Sequence, residues 1–232
     1  MLGFTLALML SVQDDPTKGP DFAQRQAARD WHTEDIQALQ LGIRVTGLGG
    51  QIDGEEDWGD FFGSGVGIDL GYEILWKATP VVHAGVYGRV SFDKLSGDKA
   101  DLSDATGTFI FDNDDLTLFK LVFGGRIRES FKAFFMDQSI GFGFVSYSDV
   151  DSTITDDLGS FDAEIISGST EFAFELAARF GFYLTKAPNA PTISMTFAFE
   201  HNGAPDAGSD FSDVDTEEQK NFVWTVGGSF SF

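Results

Sequence analysis

From residue 39 onward, apolar side chains recur at every second position, in eight runs separated by turn-forming residues. The clearest run is 61–76, FFGSGVGIDLGYEILW. One alternate set holds Phe62, Val66, Ile68, Leu70, Tyr72, Ile74 and Trp76; the other holds Gly63, Gly65, Gly67, Asp69, Gly71 and Glu73. A helix would scatter the first set around its circumference, whereas a strand sorts it onto one face. The same sorting predicts strands over about 39–48, 81–92, 116–128, 133–147, 169–184, 192–201 and 222–232.

The connections alternate as well. Those near 77–80, 129–132 and 185–191 are short, and those near 49–60, 93–115, 148–167 and 202–220 are long. Short turns at one end, long loops at the other and an even strand number is the plan of a bacterial outer-membrane barrel, with periplasmic turns and extracellular loops. Alternation alone does not say which face looks outward, because a soluble barrel inverts the pattern. The bore of eight strands only just holds its own side chains, and this chain's Leu, Ile, Val and 25 Phe would overfill it. The polar face, full of Gly and small residues, fits a crowded interior. The expectation is an all-β, eight-stranded antiparallel up-and-down transmembrane barrel over 39–232, with its apolar face to lipid.

Residues 2–12 form an apolar run far too short to cross a membrane as a helix. It has the length of a signal-peptide core, so residues 1–13 are assigned as a signal peptide. Residues 14–38 follow as a polar linker with a short helix around 22–31. The absence of Cys rules out disulfides and thiolate metal sites. A formal net charge of −22 argues against nucleic acid, whose phosphates require a basic patch.

The last eight residues, TVGGSFSF, place Thr225, Gly227, Phe230 and Phe232 in an order that resembles the C-terminal assembly signal of outer-membrane proteins. Over 39–232 the chain resembles the small OmpA/OmpX-like class of eight-stranded barrels. The resemblance implies a place in the bacterial outer membrane and insertion by the barrel-assembly machinery. It also implies contact with outer-membrane lipid and lipopolysaccharide. It names an architecture rather than an activity.

The inward-facing set holds six bases (Arg44, Arg89, Lys120, Arg126, Arg128, Arg179) and six acids (Asp69, Glu73, Asp137, Glu171, Glu175, Glu200). Buried charges persist only when paired and hydrogen-bonded, so the expected interior is a salt-bridge network that plugs the bore. Arg126 and Arg179 are expected to be held by Glu73, Glu171 or Glu175. The long loops hold 24 acids against Lys94, Lys99 and Lys220. Clustered carboxylates attract Ca²⁺ or Mg²⁺; the densest candidates are Asp112, Asp114 and Asp115, and Asp210, Asp213 and Asp215. Neither group has EF-hand spacing, and no other cofactor is implied.

Catalytic chemistry is sparse. His201, in Phe199-Glu-His-Asn-Gly-Ala204, sits in a segment that resembles the His-containing segment of outer-membrane lipid A deacylases, which carries a nucleophilic Ser two residues after the His. Here that position is Gly203, so the mechanism has no starting point. Phosphate loops, metalloprotease helices and zinc spacings are absent. Three functions follow. A non-enzymatic barrel displaying acidic extracellular loops in a structural or surface-interaction role leads; a narrow ion or small-solute channel and a lipid A-modifying enzyme are the alternatives.

Overall fold

The computed structural model describes residues 34–231, apart from 54–55, 104–107, 132, 187–189, 212–215 and 217. The expected signal peptide, nearly all of the linker with its helix, and Phe232, Asp213 and Asp215 lie outside the described residues. The first half of the chain runs through β1 (Ile36–Gly47), β2 (Gln51–Asp53), β3 (Glu56–Asp57), a one-turn helix α1 (Trp58–Phe61), β4 (Phe62–Lys77), β5 (Val82–Gly97), β6 (Lys99–Ser103) and β7 (Thr108–Asn113). The second half adds β8 (Leu116–Phe131), β9 (Phe134–Tyr147), β10 (Val150–Asp156), β11 (Gly159–Ser167), β12 (Thr170–Tyr183), β13 (Thr192–Asn202), β14 (Asp206–Ala207) and β15 (Gln219–Ser231).

Eight of these strands close into an antiparallel barrel in the order β1-β15-β13-β12-β9-β8-β5-β4. Closure comes from β1 pairing with β15 from Ala38↔Ser231 to Gly47↔Phe222. Alternation sorts the side chains as the sequence pattern requires. Leu41, Ile68, Val86, Phe123, Phe142, Phe182, Ile193 and Trp224 are all exposed on the outside, whereas Arg44, Glu73, Lys120 and Glu200 are fully buried inside. A continuous apolar outer wall of this kind is stable against lipid and not against water.

Four strands begin or end at least three residues away from the sequence-based expectation. β1 starts at Ile36 rather than 39, because Ile36 and Ala38 turn inward against Leu75 and close the bore's lower end. β5 continues to Gly97, β8 runs to Phe131 rather than 128, and β15 begins at Gln219. A 16-residue strand such as β5 is about 53 Å long and, tilted by about 40°, rises about 40 Å, well past the ~25 Å apolar band of such barrels. The surplus projects on the side of the long connections.

Those connections are not open loops. β6, β7, β10, β11 and β14 form a second, five-stranded sheet in the order β14-β11-β10-β7-β6. Its strands obey the same period of two. Ala100, Ile154 and Ala163 are buried on one face, while Asp101, Asp112, Thr153 and Asp162 are exposed on the other. The sheet rests on an apolar core at the barrel mouth, built from Trp58, Phe61, Phe62, Leu95, Leu116, Leu118, Val145, Tyr147 and Val150 among others. Gly50, at φ 102°, makes the turn that brings its carbonyl to the Trp58 N–H at 3.0 Å, a conformation suited to glycine. That turn seats Trp58 at the centre of the cap.

Candidate functional site

The interior of the barrel is arranged in tiers. At the lower end, on the side of the short turns, Phe135, Tyr183 and Ala190 form an apolar cluster near Ile36, Ala38 and Leu75. Above it lies a tier of three arginines and two carboxylates. Asp137 stands directly across from Arg128 on β8 and from Arg179 on β12. It accepts hydrogen bonds from Arg128 Nε at 2.8 Å and Nη2 at 3.0 Å, and from Arg179 Nε at 2.6 Å. Glu73 reaches from β4 on the other wall and accepts from Arg126 Nη1 at 2.6 Å, Arg128 Nη2 at 2.6 Å and Arg179 Nη2 at 2.9 Å. Phe135 lies under the Arg128 guanidinium at 4.4 Å, and Tyr87 under Arg126 at 4.3 Å. Both contacts add cation–π attraction in a desolvated setting.

The upper tier contains Arg44, Arg89 and Lys120 with Asp69, Asp93, Glu175 and Glu200. Glu175 and Glu200 sit directly opposite one another on β12 and β13, a like-charge pair that is unfavourable by itself. Arg89 crosses the bore from β5 and places Nη2 against both, 2.9 Å from Glu200 Oε1. Glu200 also takes Arg44 Nη2 at 2.9 Å and Lys120 Nζ. Arg44 Nη1 reaches Asp69 at 3.0 Å, and Thr225 donates to the other Asp69 oxygen at 3.0 Å. The Tyr87 hydroxyl donates to Glu175 at 3.0 Å. Tyr87 has room because Gly141 faces it: a Cβ there would strike its hydroxyl and lie 2.5 Å from Val122 Cγ1. Higher still, Thr46, Asn202, Gln219 and Asn221 form a fully buried polar layer beneath the cap.

Eleven of the twelve residues assigned inward by alternation meet in these tiers; Glu171 does not. It is half-buried beside Gly203 at the mouth and takes part in none of the ion pairs among the described residues. Glu73 holds both Arg126 and Arg179, as expected, but Glu171 and Glu175 hold neither. Arg179 also pairs with Asp137, while Glu175 serves Arg89 and Tyr87. Alternation missed Asp93, fully buried with Oδ1 2.8 Å from Arg44 Nε. The signal was present, since Asp93 continues the Arg89, Ser91 parity.

Three of the candidate loop carboxylates have partners within the protein. Asp112 pairs with Lys99 and Asp115 with Lys94, both at 2.6 Å, and Asp210 accepts the Glu164 N–H at 3.1 Å. Asp114 stays in the turn between β7 and β8. Among the described residues, no three His, Cys, Asp or Glu side chains gather as metal ligands. Two bonds from Ser209, its Oγ at 2.8 Å and its N–H at 3.2 Å, hold the Glu164 carboxyl below its usual range. His201 lies at the rim with Nε2 3.0 Å from Glu218 Oε2. Gly203 two residues on is fixed by its N–H to Phe172 O at 2.8 Å and by Tyr147, which donates to its carbonyl at 2.9 Å. Thr225 and Gly227 of the terminal pattern line the inside of β15, and Phe230 is exposed outside.

No protein-family model and no curated protein matches the chain. Among solved structures the fold is similar to Ail, the attachment invasion locus protein of Yersinia pestis, at 13% identity and a TM-score of 0.45, covering 86% of this chain and 99% of that one. It is similar to neisserial surface protein A at 6% identity and TM-score 0.46, covering 85% and 96%. The outer-membrane protease OmpT of Escherichia coli gives 11% identity and TM-score 0.48, covering 86% and 97%. At these values the likenesses add nothing to what the closed barrel itself shows.

Proposed function

We propose that this chain is a bacterial outer-membrane protein without enzymatic activity, a sealed barrel that anchors and orients a folded acidic β-sheet outside the cell. The observation that carries the reading is the seating of the five-stranded sheet on the barrel mouth through the Trp58 core, above a bore filled by two tiers of ion pairs. A bore so filled serves rigidity rather than transport. A sheet with one exposed face of Asp and Thr side chains serves contact with the surroundings. Lipid and lipopolysaccharide surround the apolar wall in this reading, and the barrel-assembly machinery reads Thr225, Gly227, Phe230 and Phe232 during insertion. The acidic face draws Ca²⁺ or Mg²⁺ loosely, bridging to neighbouring anionic groups; nucleic acid is repelled.

The test has two arms. The purified, refolded full chain in a planar bilayer is expected to give no steady single-channel conductance, and steady nanosiemens openings would replace the anchor with a channel. In cells, replacing 150–167 by a short turn is expected to leave insertion intact while reducing envelope resistance to detergent or surface adhesion. Unchanged envelope and adhesion phenotypes would remove the role given to the sheet.

A further inference from the structure

Between the two charged tiers lies a cavity of about 30 Å³ against the wall of small residues on β1, β4, β12, β13 and β15. It exists because Gly42, Gly71, Ala177 and Gly227 leave the wall bare where the arginines of the opposite strands do not fill it. The unmet groups on its lining residues are all donors. Arg89 Nε, Arg126 Nε and the Gln40 amide nitrogen are buried with no hydrogen-bond acceptor among the described residues. The two arginines are 8% and 5% exposed. Arg89 Nε stands 3.8 Å from Asp69 Oδ1, beyond hydrogen-bond range. The Asp69 oxygens that face this region are already taken by Arg44 and Thr225.

We propose that this cavity is a binding site for one small inorganic anion of halide size, held by Arg89, Arg126 and Gln40. Size admits either a water or such an anion. Chemistry separates them. A water can accept from only two donors and brings two hydrogens that need acceptors of their own. An anion accepts from all three donors and adds no hydrogen to be placed, and the Ser194 and Thr196 hydroxyls in the wall can rotate to donate as well. Charge favours the same answer. The lower tier sets Arg126, Arg128 and Arg179 against Glu73 and Asp137, one positive charge in surplus. The charged residues that line the cavity are Arg89, Arg126 and Arg179 against the single carboxylate Asp69, and Asp93 is not among them.

The test uses the full chain refolded in sodium bromide. Crystals are expected to show an anomalous bromine peak within hydrogen-bond distance of Arg89 Nε and Arg126 Nε. Independently, the midpoint of heat-induced unfolding in detergent is expected to rise saturably with chloride or bromide, compared with gluconate at equal ionic strength. Ala177→Leu fills the cavity without touching an ion pair and is expected to lose that rise. If Ala177→Leu fails to fold, the bromine peak of the parent decides alone. A water without anomalous signal at that position, or a midpoint indifferent to halide, overturns the proposal.

Discussion

Among the described residues, Glu73 is the single carboxylate to which three guanidinium groups converge, at 2.6, 2.6 and 2.9 Å. Replacing it with Ala is therefore the sharpest perturbation of the bore. A hydrogen bond to a charged group contributes about 1.5–3 kcal/mol, so a naive sum over three is about 5–9 kcal/mol. That sum is too large, because Arg128 and Arg179 keep Asp137. Arg126 keeps the Gln40 oxygen, at 3.3 Å, and the Tyr87 ring, but no carboxylate. The expected loss is the cost of stranding one buried charge, about 3–5 kcal/mol, a large share of an ordinary domain's stability. Glu73→Gln preserves shape and one acceptor oxygen and is expected to lose less. Urea titration in lipid vesicles, followed by tryptophan fluorescence and by heat-modifiable gel mobility, measures both variants. Conductance should stay silent in both, because the Phe135–Tyr183 cluster below and the Trp58 cap above still close the bore. Glu73→Ala within about 1 kcal/mol of the parent would refute the idea that these arginines depend on it.

The upper tier offers a coupling test. Arg89→Leu and Glu175→Leu should each destabilise, by about 3–5 kcal/mol where a charge is stranded, and the double variant should cost much less than their sum; additive losses in the same urea titration would show that Arg89 does not bridge the two carboxylates. Trp58→Ala should cost about 3–5 kcal/mol, lost from the cap rather than the barrel. Limited proteolysis should then cleave the 99–113 and 150–167 hairpins while heat-modifiable mobility is retained, and an uncleaved cap would contradict its reliance on Trp58. Phe142→Arg, on the lipid-facing wall, should cost up to about 2–4 kcal/mol, whereas Thr153→Arg on the exposed sheet should stay within about 0.5 kcal/mol. Equal effects in vesicle refolding would mean that the wall does not face lipid.

The barrel was legible because one physical rule, alternation, fixes both strand and face. It placed Arg44, Glu73, Lys120 and Glu200 inside and Leu41, Phe123 and Trp224 outside, as the burial of each shows. What alternation cannot supply is the partner across the bore. It sets neighbours along one strand, so it leaves Glu73, Glu171 and Glu175 as equal candidates for Arg179. The structure selects Glu73, through the reach of two long side chains over a glycine-lined interior, and adds Asp137 through strand register. Glu171 shares the parity of Glu175, but it lies two inward positions higher, opposite Val145 of the apolar cap core.

The cap was hidden by composition rather than by pattern. Segments 93–115 and 148–167 are dense in Asp, Gly and Ser, which announce turns. Within them Ala100, Ile154 and Ala163 still fall on one parity and Asp101, Thr153 and Asp162 on the other. A period of two in a polar segment means a sheet with one face to bury. The burial partner here is supplied by the top of the barrel itself, where Leu95, Leu116, Leu118 and Val145 break the polar habit of the inward face. The inward face thus turns apolar at both ends and charged only between them. Lower closure, charged tiers and cap are then parts of one column, and the acidic sheet inherits its orientation from the strands that cross the membrane.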